Sequence, residues 1–206
     1  MTSEAQSLII ELDTALSRTP APAAWRGKIL RRLTDLFLID SEFYTGDQVA
    51  VFDDVIGHLI EKIDRRMLIE LSNRLATVKN APIKVIAALA RHTDILVSGP
   101  LLEKSDVLTQ SDLIEIADKD RKDPVLLSII AARQQLSEAI TDILIKRGNA
   151  ALVRKIIDRL DVPISESSFA RMVTSLENNK ELAAAIAKRT DLPAELRPWL
   201  DAALAE

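Results

Sequence analysis

The stretch that decides the fold reads Ile86-Ala87-Ala88-Leu89-Ala90-Arg91-His92-Thr93-Asp94-Ile95. A related stretch reads Ile129-Ile130-Ala131-Ala132-Arg133-Gln134-Gln135-Leu136, and another reads Ala184-Ala185-Ile186-Ala187-Lys188-Arg189-Thr190-Asp191-Leu192. In each copy an alanine-rich helical run is followed by a basic residue, a polar pair and an aliphatic residue. Internal similarity of this kind indicates a protein built from repeats.

Each of the three copies closes a longer unit, and the units align without gaps. They run over Ser72–Ile95, Leu113–Leu136 and Phe169–Leu192. The ends of the first and second units are 41 residues apart, and the ends of the second and third are 56 residues apart. We assign the excess to an inserted helix, Asn149–Leu160, whose aliphatic residues recur at helical spacing. A period near 40 residues with two or three helices per unit is typical of HEAT-type solenoids.

The composition favours helices throughout. Of the 206 residues 48% are hydrophobic, yet only 3% are aromatic and 5 are glycine. A core of Leu, Ile, Val and Ala suits helices better than strands. We therefore predict an all-α protein, a right-handed HEAT-like solenoid (α–α superhelix) of about 12 helices. Residues 64–206 hold the repeats and residues 1–63 an N-terminal helical cap or extension, in one continuous domain.

The N-terminal portion contains three predicted helices, each with one apolar stripe. A loop from Asp40 to Asp47 separates the second from the third, because it is polar and contains glycine. These helices cap the stack, form a separate bundle, or make a homodimer contact through Trp25, Phe43, Tyr44 and Phe52. The stripes are Leu8, Ile9, Leu12 and Leu16; then Trp25, Ile29, Leu33, Leu36 and Phe37; then Phe52, Val55, Ile56, Leu59, Ile60 and Ile63.

Several stretches resemble a known family. They are Ala90-Arg91-His92-Thr93-Asp94, Gly99-Pro100-Leu101-Leu102-Glu103-Lys104-Ser105, Leu108-Thr109-Gln110-Ser111-Asp112-Leu113, Ile130-Ala131-Ala132-Arg133, Ile140-Thr141-Asp142 and Arg147-Gly148-Asn149. Over about residues 65–200 the chain is similar to an alphaproteobacterial family catalogued as domain of unknown function 2336. The resemblance implies a bacterial, HEAT-like helical protein. It supplies no catalytic residues.

No pattern in the sequence predicts a catalytic, cofactor-binding or metal-binding residue. Cysteine is absent, which excludes disulfides and cysteine-based zinc sites. His58 has Asp54 and Lys62 at helical neighbour spacing, but on the polar face, where a solvated role is more common than metal binding. Asp53 and Asp54 are adjacent, so their side chains point about 100° apart on a helix and do not share a proton easily.

One set of residues is a candidate interaction surface. Arg91, Arg133 and Arg189 fall at equivalent or nearly equivalent places in the three units and form a ladder if the units stack. They either stabilise helix ends and pair with acids such as Asp94 or Asp142, the version we favour, or line a groove for an acidic partner. The complete candidate set is Arg91, His92, Asp94, Arg133, Arg189, Phe43 and Tyr44.

The leading functional prediction is a non-enzymatic protein–protein interaction scaffold or regulatory adaptor, because stacked helices present an extended surface. Nucleic-acid binding is an alternative that the net charge of −4 disfavours. An enzyme with a carboxylate site is a second alternative. We expect no cofactor and no membrane partner. A cytoplasmic location is expected from the lack of cysteine and of a recognisable export signal.

Overall fold

A computed structural model describes residues 23–118, 123–176 and 179–205. The described residues form twelve α-helices and two short 3-10 turns and contain no strand, which confirms the all-α prediction. The predicted helix with Leu8, Ile9, Leu12 and Leu16 lies outside the described residues. None of the described helices combines the length and the apolar character that crossing a membrane requires.

Two compact units make up the chain, and they divide between Thr109 and Gln110. The boundary predicted from the sequence, between residues 63 and 64, lies elsewhere and stays a prediction. The first unit contains α1 (Ala23–Asp40), a 3-10 turn (Ser41–Phe43), α2 (Gly46–Ile60), α3 (Arg65–Leu75), α4 (Ile83–Ala90) and α5 (Ile95–Lys104).

The second unit begins at Gln110 and holds the remaining seven helices of the described chain. They are α6 (Gln110–Asp118), α7 (Pro124–Ala131), α8 (Glu138–Arg147), α9 (Ala150–Asp158), α10 (Glu166–Thr174), α11 (Lys180–Ala187) and α12 (Arg197–Ala205), with a 3-10 turn at Ala194–Leu196. The predicted inserted helix is α9, two residues shorter at its end than expected.

Within each unit, a helix packs against the next helix but one as well as against its neighbours. In the first unit α1 contacts α3, α2 contacts α4 and α3 contacts α5. In the second unit α6 contacts α8, α7 contacts α9, α8 contacts α10 and α9 contacts α11. Alternate helices therefore form two packed rows inside the unit, which is the packing expected when helical hairpins stack.

The loop predicted at Asp40–Asp47 is shorter than expected, because a capping box starts α2 early. Thr45 Oγ1 accepts a hydrogen bond from the Gln48 backbone N–H, and Gln48 Oε1 accepts one from the Thr45 backbone N–H. These reciprocal bonds satisfy two N–H groups that a helix start otherwise leaves unpaired. Helix α2 consequently begins at Gly46, and α1 continues to Asp40.

The helix starts and stops of the second unit follow short local signals. Ser137 and Ser165 cap α8 and α10, as predicted, by accepting hydrogen bonds from backbone N–H groups in the first turn. Pro124 is the first residue of α7, a position at which proline costs no hydrogen bond. Gly148 ends α8, also as predicted, and its N–H donates to the Leu144 carbonyl at 2.7 Å.

Candidate functional site

Arg189, a member of the predicted ladder, lies in the interior of the second unit with only 1% of its surface exposed. Its Nε and Nη2 donate to the two carboxylate oxygens of Asp191 at 2.9 and 2.7 Å. Nη1 donates to the carbonyls of Ile157 and Arg159 at 3.1 and 2.8 Å, and Nη2 also donates to the Val162 carbonyl at 2.7 Å. The guanidinium thus holds the turn after α9 and offers no surface to a partner.

Arg159 makes the same arrangement one helical hairpin earlier. Its Nη2 donates to Asp161 at 2.6 Å, and its Nη1 donates to the carbonyls of Ala131 and Arg133 at 2.9 and 2.8 Å. Nη2 also reaches the Gln134 carbonyl at 3.0 Å. We call Arg159 with Asp161 and Arg189 with Asp191 the two guanidinium clamps. Each clamp ties its own turn to the turn one hairpin earlier.

Sequence reasoning missed Arg159, although a signal for it was present. Arg159-Leu160-Asp161-Val162 has the same order of basic, variable, acidic and aliphatic residues as Arg189-Thr190-Asp191-Leu192. Because the predicted inserted helix, Asn149–Leu160, falls between two repeat units, the repeat pattern alone does not align Arg159 with the arginines at the other helix ends. The Arg159 clamp binds the carbonyls of residues 131 and 133, and the Arg189 clamp binds those of residues 157 and 159. Residues 133, 159 and 189 therefore occupy equivalent positions in successive hairpins.

The other two arginines of the candidate surface lie in different units. Arg133, half-buried, contributes its carbonyl to the Arg159 clamp in the second unit. Arg91 belongs to the first unit, where its Nη1 donates to the Ala87 carbonyl at 3.2 Å and so caps the end of α4. Both residues take part in further interactions. The hydrogen bonds described for Arg91, Arg159 and Arg189 therefore stabilise helix ends and turns.

His92 and Asp94 form one local network at the start of α5. The Asp94 carboxylate accepts the Leu96 N–H at 3.1 Å and pairs with the Arg65 guanidinium. The Asp94 N–H in turn donates to His92 Nδ1 at 3.0 Å. Hydrogen bonding from Arg65, followed by that from the Leu96 N–H, lowers the pKa of Asp94. This carboxylate caps α5 and pairs with Arg65.

Phe43 and Tyr44 are neighbours in sequence but lie in opposite environments. Tyr44 packs with Phe37 and Phe52 at ring-centroid distances of 5.7 and 5.3 Å, and its hydroxyl donates to the Leu36 carbonyl at 3.1 Å. Burial raises the pKa of Tyr44. Phe43 is 83% exposed. Of these two candidates, only Phe43 presents its ring to solvent.

The exposed Phe43 ring projects from a turn that is held on both sides. Asn80 Nδ2 donates to the Ser41 carbonyl at 2.9 Å and to the Tyr44 carbonyl at 3.0 Å. Ile39, four residues earlier at the end of α1, is 73% exposed. We call Ile39 and Phe43 the apolar pair. Tyr44 and Asn80 anchor the turn that carries Phe43, and Ile39 lies in the last turn of the helix before it.

The acidic residues considered for chemistry are engaged in structural contacts. Asp53 is buried, and its two carboxylate oxygens accept the backbone N–H groups of Lys84 and Val85, each at 2.8 Å, at the start of α4. Asp54 pairs with Lys84 Nζ at 2.7 Å. His58 Nδ1 lies 2.8 Å from the Asp54 carbonyl. The part of the chain that the structure describes contains no cluster of three His, Cys, Asp or Glu side chains suited to a metal ion.

One family model matches the chain, over residues 97–206, and its description is an uncharacterised protein conserved in bacteria (DUF2336). Neither the curated proteins nor the solved structures contain a significant match. The matched segment includes α6 to α12 together with both guanidinium clamps. Because the match spans more than half of the chain, the protein belongs to this family, domain of unknown function 2336.

Proposed function

We propose that this protein is a non-enzymatic, HEAT-like helical-repeat scaffold that binds another protein through the apolar pair, Ile39 and Phe43. The observation that carries the proposal is the exposure of these two large side chains, 73% for Ile39 at the end of α1 and 83% for Phe43 on the anchored turn that follows. Aromatic and aliphatic anchors that are exposed in the free protein supply much of the affinity when a partner buries them.

The anchoring of the turn strengthens this argument. A side chain on a rigid backbone loses less conformational freedom on binding than one on a flexible loop. Tyr44 is buried in the aromatic cluster, and Asn80 bridges the carbonyls on either side of Phe43. The backbone that carries Phe43 is therefore already fixed before a partner binds.

The HEAT-like arrangement is supported by the packing inside each unit. Alternate helices contact each other, and in the second unit the clamps of Arg159 and Arg189 join successive turns. In a repeat protein, each hairpin buries its apolar face only against its neighbours. Contacts between equivalent turns are the expected consequence.

The alternatives predicted from the sequence receive less support. Asp53 and Asp54 are used in a helix cap and an ion pair, which removes the most obvious carboxylate site. Two arginines of α1 and α3 pair with acids: Arg31 with Glu70 at 2.7 Å and Arg74 with Asp35 at 2.5 Å. The net charge of −4 also disfavours phosphate binding, which depends on positive charge.

The test is a crosslinking capture from a bacterial lysate with three baits. The baits are the unaltered chain, the double variant Ile39→Ser with Phe43→Ser, and the matched control Trp199→Ser, which removes an exposed ring of the second unit. We expect one protein to be enriched by the unaltered chain and by the control, and lost with the double variant. Equal enrichment by all three baits, or none, contradicts the proposal. Sedimentation of the purified chain identifies the case in which the partner is a second copy.

A further inference from the structure

The second unit contains an open cleft of about 440 Å³ where α8 meets α9. Its walls come from the first turns of α7, the end of α8 and the start of α9. The apolar floor consists of Pro124, Leu127 and Leu152, and the two leucines belong to the core. The volume lies within the range of small-molecule sites, which are mostly apolar with a few placed polar groups.

The sharp bend that shapes the cleft requires glycine at position 148. A Cβ atom there would lie 2.5 Å from the Leu144 carbonyl oxygen and 2.9 Å from a methyl group of Leu152. The absence of a side chain lets α8 end at Arg147 and α9 begin at Ala150, with only two residues between them. The cleft opens beside this junction.

The polar side chains of the cleft are hydrogen-bond donors. Lys146 is exposed at the rim, and Arg147 is held by Asp118, which accepts from its Nε at 2.9 Å. Asn149 uses its Oδ1 to accept the Leu152 N–H at 2.9 Å, so the amide group retains Nδ2 as a donor. The side chains of Lys146, Arg147 and Asn149 can therefore donate hydrogen bonds beside an apolar floor. This arrangement suits a ligand that has a hydrogen-bond acceptor at one end and an apolar chain at the other.

The charge balance indicates how much negative charge the ligand carries. Among the residues that the structure describes at the cleft, Asp118 compensates the charge of Arg147, so Lys146 supplies the net positive charge of this part of the lining. One positive charge suits a single carboxylate better than a doubly charged phosphate, which proteins usually hold with several cations or a row of backbone N–H groups.

We propose that this cleft binds a small apolar monocarboxylate, with the carboxylate at Lys146, Arg147 and Asn149 and the apolar chain on Leu127 and Leu152. The site lies in the second unit and does not depend on the apolar pair of the first. A negative result for protein binding at the apolar pair therefore does not contradict carboxylate binding in the cleft, and a negative result for the cleft does not contradict protein binding.

Octanoate is the probe, titrated into the purified full chain with isotopically labelled leucine methyl groups. We expect saturable shifts of the methyl resonances of Leu127 and Leu152, and affinity that falls as salt is raised from about 0.05 to about 0.5 M. Octan-1-ol, which has the same chain length and no charge, should bind at least about fivefold more weakly.

Two matched variants test the carboxylate contact. Lys146→Gln should weaken octanoate binding about fivefold, as expected for an ion pair at a rim. Lys155→Gln removes an exposed lysine of α9 outside the cleft and should leave binding unchanged. Unchanged circular dichroism shows that both variants are folded. The proposal is overturned if octanoate fails to shift the two leucines, if octan-1-ol binds equally well, or if both variants bind like the unaltered chain.

Discussion

Replacing Arg189 by Met should destabilise the second unit strongly. The substitution keeps an apolar stem but removes every donor to the carbonyls of Ile157, Arg159 and Val162 and to Asp191. Leaving one partner of a buried charged network unpaired costs about 3–5 kcal/mol. The carboxylate of Asp191 is 42% exposed and regains water, so most of the loss comes from the carbonyls.

The assay is urea unfolding followed by circular dichroism. With a slope of about 1–3 kcal/mol per molar urea, a loss of this size lowers the midpoint by about 2 M. Arg189→Lys keeps the charge but lacks the planar fork, so an intermediate loss of about 2 kcal/mol is expected. Hydrogen exchange locates the effect, and the amides of residues 157–162 should lose protection first.

Arg171→Met is the matched control for this experiment. Arg171 is an exposed arginine of α10, and its loss should change the free energy of unfolding by less than about 0.5 kcal/mol. If Arg189→Met costs no more than this control, the clamp does not stabilise the unit and the reasoning is refuted.

Three further predictions probe the other contacts. Asp53→Ala should cost about 2 kcal/mol in thermal unfolding, because it uncaps α4 and leaves two N–H groups unpaired, whereas the neighbouring Asp54→Ala should cost under about 1 kcal/mol. A loss of about 1–3 kcal/mol is expected for Gly148→Ala, from the clash with the Leu144 carbonyl, and an unchanged melting temperature would contradict it. Hydrogen bonding by Arg159 lowers the pKa of Asp161. The ionised Asp161 carboxylate therefore stabilises the fold at pH values above its usual pKa, and this contribution is lost as the pH falls through the lowered pKa. Arg159→Met should therefore make the fall in stability below about pH 4 shallower, and an unchanged acid profile would argue against the clamp.

The helices and many of their ends were predictable from the sequence because their causes are local. Ser137 and Ser165 cap the helices that follow them, and Gly148 ends the helix before it, as the residue types indicated. The start of α2 was misplaced, since the capping box of Thr45 and Gln48 was not recognised.

The roles of individual side chains were harder to predict, because they depend on residues far apart in the sequence. The repeat pattern identifies Arg189 as a helix-end arginine. It does not show that the guanidinium is buried, because its hydrogen-bond acceptors are carbonyls about 30 residues earlier in the chain. Tyr44 and Phe43 are neighbours in sequence, and tertiary packing against Phe37 and Phe52 distinguishes the buried Tyr44 ring from the exposed Phe43 ring. The cap that Asp53 provides to α4 likewise requires the packing of α2 on α4.

Site-specific photo-crosslinking at position 43 in bacterial cells tests the central claim most directly. A benzophenone side chain replaces Phe43 in one variant and the exposed Ala50 of α2 in a control. The account predicts a discrete adduct with one protein from position 43 and none from position 50. No adduct at either position, or the same adduct at both, would contradict a binding surface centred on the apolar pair.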